Sequence, residues 1–278
     1  LGEDEVTLTK QAYDWPTEPK FFIPDGVIEH FQSGVGARGQ ALAEQWHKDL
    51  AAYAAANPTA AAELEAIWRG TLPANWEDGI PCFPEDTKGL ATRVSSGQVL
   101  NSLAEQYPWM LGGSADLAPS NMTMLNFDDA GEFSMENRGG RNFHFGIREH
   151  SMAAICNGMS LSGLRSYCAT FFIFTDYLRP ALRLSSIMRQ GVLYIMTHDS
   201  IGLGEDGPTH QPVSQLAACR ALPELLVFRP ADANEVAQSY HTLVQRQHQP
   251  AMLVLTRQAL PTLCREKHAS AKGVQQGA

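Results

Sequence analysis

Residues Val192–Pro212 read VLYIMTHDSIGLGEDGPTHQP, an apolar run of six residues that opens directly into two histidines, two aspartates, a glutamate and three glycines. The run Val192–Thr197 has the length and β-branched, aromatic character of a short buried strand. The polar stretch His198–Pro212 then falls at that strand's carboxyl end, where open α/β sheets bind ligands. A loop closing a sheet accounts for the glycines but not for so many ionisable groups, so we expect a ligand-binding wall there.

The pattern on either side supports an α/β fold with a mostly parallel sheet and helices on both faces. Helical periodicity is expected over 95–107, 149–161, 175–190, 213–222 and 233–246. Strand-like runs are expected at 109–112, 142–146, 166–170, 192–197, 225–229 and 251–256. Strands alternating with helices mean parallel crossover units. Upstream, an alanine-rich stretch at 37–57 and a second at 59–69, separated by Asn57-Pro58, predict two helices. Residues 1–36 are interrupted by prolines and have no domain-like pattern, and the glycine- and proline-rich residues 70–91 are expected to be a linker. The expected organisation is therefore 1–90 as a leading segment and linker, 91–265 as the α/β domain, and 266–278 as a further linker. The absence of an initiating methionine points to a fragment or a processed form.

Composition narrows the function classes. Of 278 residues 44% are hydrophobic, enough for a substantial core, and no apolar run approaches a membrane span. The net charge of −9 argues against nucleic acid or an anionic membrane as partner, so an anionic ligand must be held by locally placed arginines. Cys82, Cys156, Cys168, Cys219 and Cys264 are scattered without metal-type spacing, as expected of buried free thiols in a reducing cytoplasm.

Within the central loop, Gly202-Leu203-Gly204-Glu205-Asp206-Gly207 matches GxGxxG, but two carboxylates sit where a pyrophosphate needs bare N–H groups, and Pro208 and Pro212 delay the helix. A metal site from His198, Asp206 and His210 remains an alternative. Four further segments carry chemistry-bearing residues. GIREHSMAA (146–154) puts Glu149 in the first turn of a helix, where it also suits the helix dipole. TFFIFTDY (170–177) spaces Phe171, Phe174 and Tyr177 as either core packing or a clamp on a flat heterocycle. GGSADLAPSN (112–121) offers Asp116 and Ser120. Arg93 in ATR and Arg257 in LTRQ suit either bidentate phosphate binding or a structural ion pair.

In this order, ATR, GGSADLAPSN, GIREHSMA, TFFIFTDY, THDSIGLGEDGPTHQP, FRPADANE and LTRQ resemble the transketolase family of thiamine-diphosphate enzymes over residues 91–258, and LGEDEV with the helical pair resembles the segment joining that family's two cofactor-binding domains. The resemblance implies a pyrimidine-binding domain in which Glu149 bonds the aminopyrimidine ring, Phe171, Phe174 and Tyr177 surround it, and Asp116 lies near the thiazolium. It implies that Arg93, Ser120, His198 and Arg257 bind a sugar phosphate while Asp206 and His210 bond the donor's hydroxyls, with Glu149, His198 and His210 as the catalytic set.

The reaction so implied is transfer of a two-carbon ketol unit from a ketose phosphate to an aldose phosphate, as in the pentose phosphate pathway and the Calvin cycle. Thiamine diphosphate carries the carbanion that no side chain can stabilise. The family's diphosphate-binding motif, which holds Mg2+, has no counterpart in the chain. Half a site is therefore expected, completed in the family by a homodimer and inactive alone. A dihydroxyacetone synthase-like relative and a non-catalytic dimerisation module are the alternatives. Sugar phosphates are the expected partners, with no nucleic acid and no membrane, in the cytoplasm.

Overall fold

The computed structural model describes residues 2–277; Leu1, which opens LGEDEV, and Ala278, the end of the expected trailing linker, lie outside them. Two compact units are present, Leu1–Ala62 and Glu63–Ala278.

The first unit is helical. It contains α1 (Glu3–Ala12), α2 (Val27–Phe31), a π-turn at Gln32–Gly36 that runs into α3 (Ala37–Ala56), and the start of α4 (Pro58–Arg69). Helix α1 falls in the proline-interrupted stretch that shows no domain-like pattern. Glu3, Asp4 and Glu5 in its first turn and Lys10 in its last complement the helix dipole, a local signal that the nearby prolines obscure. None of the residues of α1, α2 or α3 is buried, although Val6, Leu8, Leu42 and Trp46 are large and apolar.

The second unit is built on a six-stranded sheet. In chain order its elements are β1 (Asp86–Ala91), α5 (Thr92–Gln106), β2 (Met110–Ser114), α6 (Ala118–Asn121), β3 (Asn142–His144), α7 (Glu149–Leu161), β4 (Arg165–Phe171), α8 (Thr175–Met188), β5 (Leu193–Thr197), α9 (Gln215–Arg220), β6 (Leu226–Phe228), α10 (Ala233–Val244), β7 (Ala251–Leu255) and β8 (Ala259–Thr262). The sheet has the order β3-β2-β4-β5-β7-β6, and every pairing in it is parallel. Its central strands are buried on both faces, and alternate residues divide between two cores. Tyr167, Ala169, Leu193, Ile195 and Leu253 pack with Val99, Leu103, Val236 and Tyr240 of α5 and α10. Cys168, Tyr194, Met196, Met252 and Val254 pack with Met152, Leu178 and Leu182 of α7 and α8. The GG pair of GGSADLAPSN lets β2 lie close to both neighbours. A Cβ on Gly113 would meet Phe143 O at 1.8 Å, and one on Gly112 would meet Tyr167 O at 2.0 Å.

The expected linkers are fixed rather than free. Ile67, Leu72, Trp76, Ile80 and Phe83 pack on the core, and Asn234 holds the Phe83 backbone by accepting from its N–H at 2.9 Å and donating to its carbonyl at 2.8 Å. Beyond them β1 pairs antiparallel with β8, a ribbon that polar, glycine-containing DTKGLA does not announce. The division between units thus falls at 62/63, ahead of residues 70–91. The trailing segment forms a 3-10 turn at Ala271–Gln276 with Ala271 and Val274 buried. All five thiols are free, with Cys156, Cys168 and Cys219 buried as expected but Cys82 exposed and Cys264 half-buried.

At the amino end of the sheet, the fully buried Arg165 has no carboxylate partner among the described residues. Its guanidinium donates to the carbonyls of Gly191, Leu243 (2.6 Å) and Arg246 (3.1 Å), which ties β4 to the end of α10 and the start of β5, and burial lowers its pKa to about 10. Arg165→Met removes all three bonds and, among the described residues, leaves Leu243 O with only the Arg246 N–H (3.0 Å), and we expect a loss of about 3 kcal/mol, or roughly 6–12 °C in Tm, in thermal and denaturant melts. Wild-type stability in that variant would show the three bonds to be dispensable.

Candidate functional site

The carboxyl ends of the adjacent strands β2, β4, β5 and β7 are in register, pairing Ser114 with Ala169, Phe171 with Thr197, and Thr197 with Leu255. Each strand therefore delivers its next residues to one rim. Ser120 follows β2, Phe171 ends β4, His198 follows β5 and Arg257 follows β7. Together with Arg93 from the first turn of α5, and Asp206 and His210 from the central loop, they line a cleft of about 410 Å³.

The two arginines are brought together by their preceding threonines. Thr92 N–H donates to Thr256 Oγ1 (3.1 Å), and Thr256 N–H donates to Thr92 Oγ1 (2.7 Å). Both threonines are buried, and the hydroxyls are 3.1 Å apart. Sequence reasoning misses this reciprocal clasp, because a threonine in ATR or LTRQ carries no signal until the two segments meet. Arg93 Nη1 donates to Ser120 O at 2.6 Å, while its Nε is buried without a partner. Burial, and then the neighbouring Arg257 charge, lower the Arg93 pKa, with Asp206 acting in the opposite direction. Arg257 is held by Glu205 at 3.1 Å, an exposed pair worth little.

His198 is buried in the left-handed backbone region (φ 59), with its ring 3.7 Å from that of Phe171. Desolvation first, then Arg93 and Arg257, lower its pKa to about 4, so it is neutral at pH 7. Its neighbours Asn121 and Thr197 also escape a sequence-only view, being buried polar groups that bond each other across 76 positions of the chain, from α6 to the end of β5. Asp199 leaves the cleft and pairs with Arg229 at 2.6 Å. The GxGxxG stretch contains only a 3-10 turn, Ile201–Leu203, with Gly204 and Gly207 at positive φ, and the next helix begins at Gln215. It therefore offers no helix N-terminus to a phosphate. Among the described residues no group of three His, Cys, Asp or Glu side chains is arranged to hold a metal ion.

Of the remaining candidates only Phe171 reaches that cleft. Phe171, Phe174 and Tyr177 do not share a helix; they end β4, sit in a 3-10 turn and enter α8 respectively. They nevertheless form a row, with Phe171 and Phe174 stacked at 6.1 Å and Phe174 tilted to Tyr177 at 6.0 Å, and His210 touches Phe174 edge-on at 5.4 Å. Tyr177 is 64% exposed and offers open aromatic surface. Asp116 is exposed, with φ 62. Glu149, the first residue of α7, is 7% exposed and has no hydrogen-bond or ion-pair partner among the described residues. A carboxylate in a largely buried residue that makes no bond within the protein fits a ligand that donates to it. The motif FRPADANE is structural. Asp232 caps α10 by accepting from Glu235 N–H (2.9 Å), Glu235 accepts from Ala231 N–H (2.8 Å), and Asp232 also pairs with Arg265.

Comparison with known proteins agrees with this architecture. Residues 88–262 match the model of the transketolase pyrimidine-binding domain, and residues 1–73 match that of the transketolase thiamine diphosphate binding domain. The whole chain is 47% identical to a transketolase of Bacillus subtilis, of which it covers 41%. It superposes at a TM-score of 0.88, with 37% identity, on a Pichia stipitis transketolase crystallised with sedoheptulose 7-phosphate, spanning all of this chain and 41% of that one. A split-gene transketolase described as an inactive β4 tetramer aligns at 27% identity and a TM-score of 0.52, over 65% of this chain and 56% of that one. The chain thus spans about two fifths of the length of its full-length relatives, and it belongs to the transketolase family, with the pyrimidine-binding domain as its larger part.

Proposed function

We propose that the chain supplies the pyrimidine-binding half of a transketolase active site, in which a two-carbon ketol unit passes from a ketose phosphate to an aldose phosphate. The observation that carries this is the cleft holding Arg93, Ser120, His198 and Arg257 beside Asp206 and His210 on one strand-end rim. Two guanidinium groups provide the charge for a phosphate, and the exposed carboxylate and second imidazole can bond sugar hydroxyls and move their protons. An acidic protein can in this way bind an anion locally. Thiamine diphosphate, when bound, supplies the electron sink that side chains lack. The residues present fit it. Glu149 has a free carboxylate for a ring nitrogen, the row Phe171–Phe174–Tyr177 offers flat apolar surface, and Asp116 is the carboxylate assigned to the thiazolium side.

On this proposal the first 90 residues are the tail of the diphosphate-binding domain with its connecting segment, residues 91–265 the pyrimidine domain, and 266–278 a linker toward a C-terminal domain. Mg2+ belongs to the complementary diphosphate-binding half, contributed by another subunit of a homodimer. Exposed apolar side chains on α7 and α8, Ile155, Leu184 and Ile187, support a subunit contact there. The inactive split-gene relative supports a need for that second half. We place the enzyme in the cytoplasm, where five free thiols stay reduced; no helix among the described residues is long and apolar enough to cross a membrane.

Two measurements test the proposal in the enzyme completed by its diphosphate-binding half. Glu149→Gln keeps the fold but should lower kcat by at least about 100-fold; near-normal turnover removes Glu149 from the mechanism. Arg93→Ala and Arg257→Ala should each raise KM for a phosphorylated donor by roughly 10- to 100-fold, with kcat and the KM of an unphosphorylated ketose little changed. Equal losses on both substrates would place the phosphate elsewhere.

A further inference from the structure

The orientation of the His198 ring is set by a buried chain of side chains behind the cleft. Thr197 Oγ1 lies 2.7 Å from Asn121 Oδ1 and 2.9 Å from His198 Nδ1, and all three residues are buried. An amide oxygen has no hydrogen to give, so the Thr197 hydroxyl donates its single proton to Asn121. Towards His198 it can then only accept, which requires a hydrogen on Nδ1. In the neutral ring Nε2 is consequently a bare lone pair, and it has no partner among the described residues. The left-handed backbone at His198 and the Phe171 ring at 3.7 Å hold the imidazole in this pose at the edge of the cleft.

We propose that Asn121 and Thr197 act as positioning residues that hold neutral His198 in its Nδ1–H form, so that the cleft presents a proton acceptor at Nε2 and a phosphate dianion binds with uptake of one proton. The inference rests on the cleft being the phosphate site. The charged and titratable groups facing His198 are Arg93 from α5, Arg257 beyond β7, and Asp206 and His210 from the central loop. Together with desolvation, the cationic members of this set keep the empty site's imidazole neutral at pH 7, its pKa lowered to about 4. A bound dianion offsets both arginine charges and sets its own oxygens against the Nε2 lone pair. A proton from solvent, taken up between Nε2 and a phosphate oxygen, turns that repulsion into a charge-assisted hydrogen bond. A phosphate monoanion brings the same proton with it. The dissociation constant for total phosphate should therefore rise with pH above neutrality, by up to about tenfold per pH unit.

The test uses the 278-residue chain with imidazole 15N-labelled histidine, the His198 signals being assigned by their loss in His198→Gln. In the free chain we expect Nδ1 to carry the hydrogen and Nε2 to be bare. Thr197→Val should move the hydrogen to Nε2, and Thr197→Ser, which keeps the hydroxyl, should restore the original form. Titration calorimetry with inorganic phosphate at pH 7.5, where about two thirds of it is dianion, in two buffers of different protonation enthalpy, should then give an uptake of about two thirds of a proton for wild type and Thr197→Ser and no net uptake for Thr197→Val. A hydrogen on Nε2 in the wild type, as would result if the Asn121 amide faced Thr197 with its nitrogen, overturns the relay, as does an unchanged tautomer in Thr197→Val. Phosphate binding without proton uptake overturns the second half of the inference. Absence of phosphate binding with the expected tautomer overturns the phosphate assignment and the uptake together, and leaves the relay established.

Discussion

Two guanidinium groups facing one cleft repel each other, and the reciprocal bonds between Thr92 and Thr256 are what oppose that repulsion. The clasp joins residues 164 positions apart. It closes the start of α5 onto the end of β7, so that each threonine delivers the arginine that follows it. Every polar atom in the clasp is buried, and a buried donor left unmade costs more than a made bond gains. The geometry is therefore two-sided. Loss of either hydroxyl leaves the other segment's N–H without an acceptor, and both arginines lose their footing. The site depends on the sheet for its position and on this clasp for its charge.

The same charge explains the state of His198. An imidazole close to two cations and withdrawn from water remains neutral, so the cleft holds two fixed positive charges and one group able to acquire a third. On the proposed reading, the fixed charge attracts a phosphate and the titratable group responds to its arrival. Among the described residues Arg93 Nε is buried without a partner and Arg257 is held only by an exposed Glu205, so both keep spare donor capacity. Net charge gives no hint of this, because it sums over the whole chain and not over one cleft.

Much of this architecture is legible from residue patterns because a doubly covered parallel sheet writes itself as apolar runs alternating with amphipathic helices. The expected helix at 149–161 coincides with α7, and the run at Val192–Thr197 becomes β5 with its polar loop at the carboxyl end. What escapes has a common cause. The β1–β8 ribbon, the Thr92–Thr256 clasp and the Asn121–Thr197–His198 chain are each made by segments far apart in sequence, through polar residues that look unremarkable singly. Residues 70–91 mislead for the same reason, since Asn234 supplies the bonds that fix Phe83. The row of Phe171, Phe174 and Tyr177 misleads differently, for a spacing that suits a helix is also produced by a strand end, a 3-10 turn and a helix start.

Glu149 shows how an incomplete site can be stable as a fold. A carboxylate buried at the start of α7 gains from the helix dipole and so tolerates the absence of a partner, which keeps its oxygens free for a ligand. The apolar side chains left open on α1 and α3, and those on α7 and α8, are a second unsatisfied demand of a different kind, for area rather than for a hydrogen bond. The cleft at the strand ends, by contrast, has hydrogen bonds made behind it by the Thr92–Thr256 clasp and the Thr197–Asn121 contact, while among the described residues Asn121 Nδ2 and Arg93 Nε have no acceptor. On the proposed function, the substrate end of the site is thus largely preorganised within this chain, and the cofactor end, where Glu149 has no partner among the described residues, is the part completed by groups from outside it.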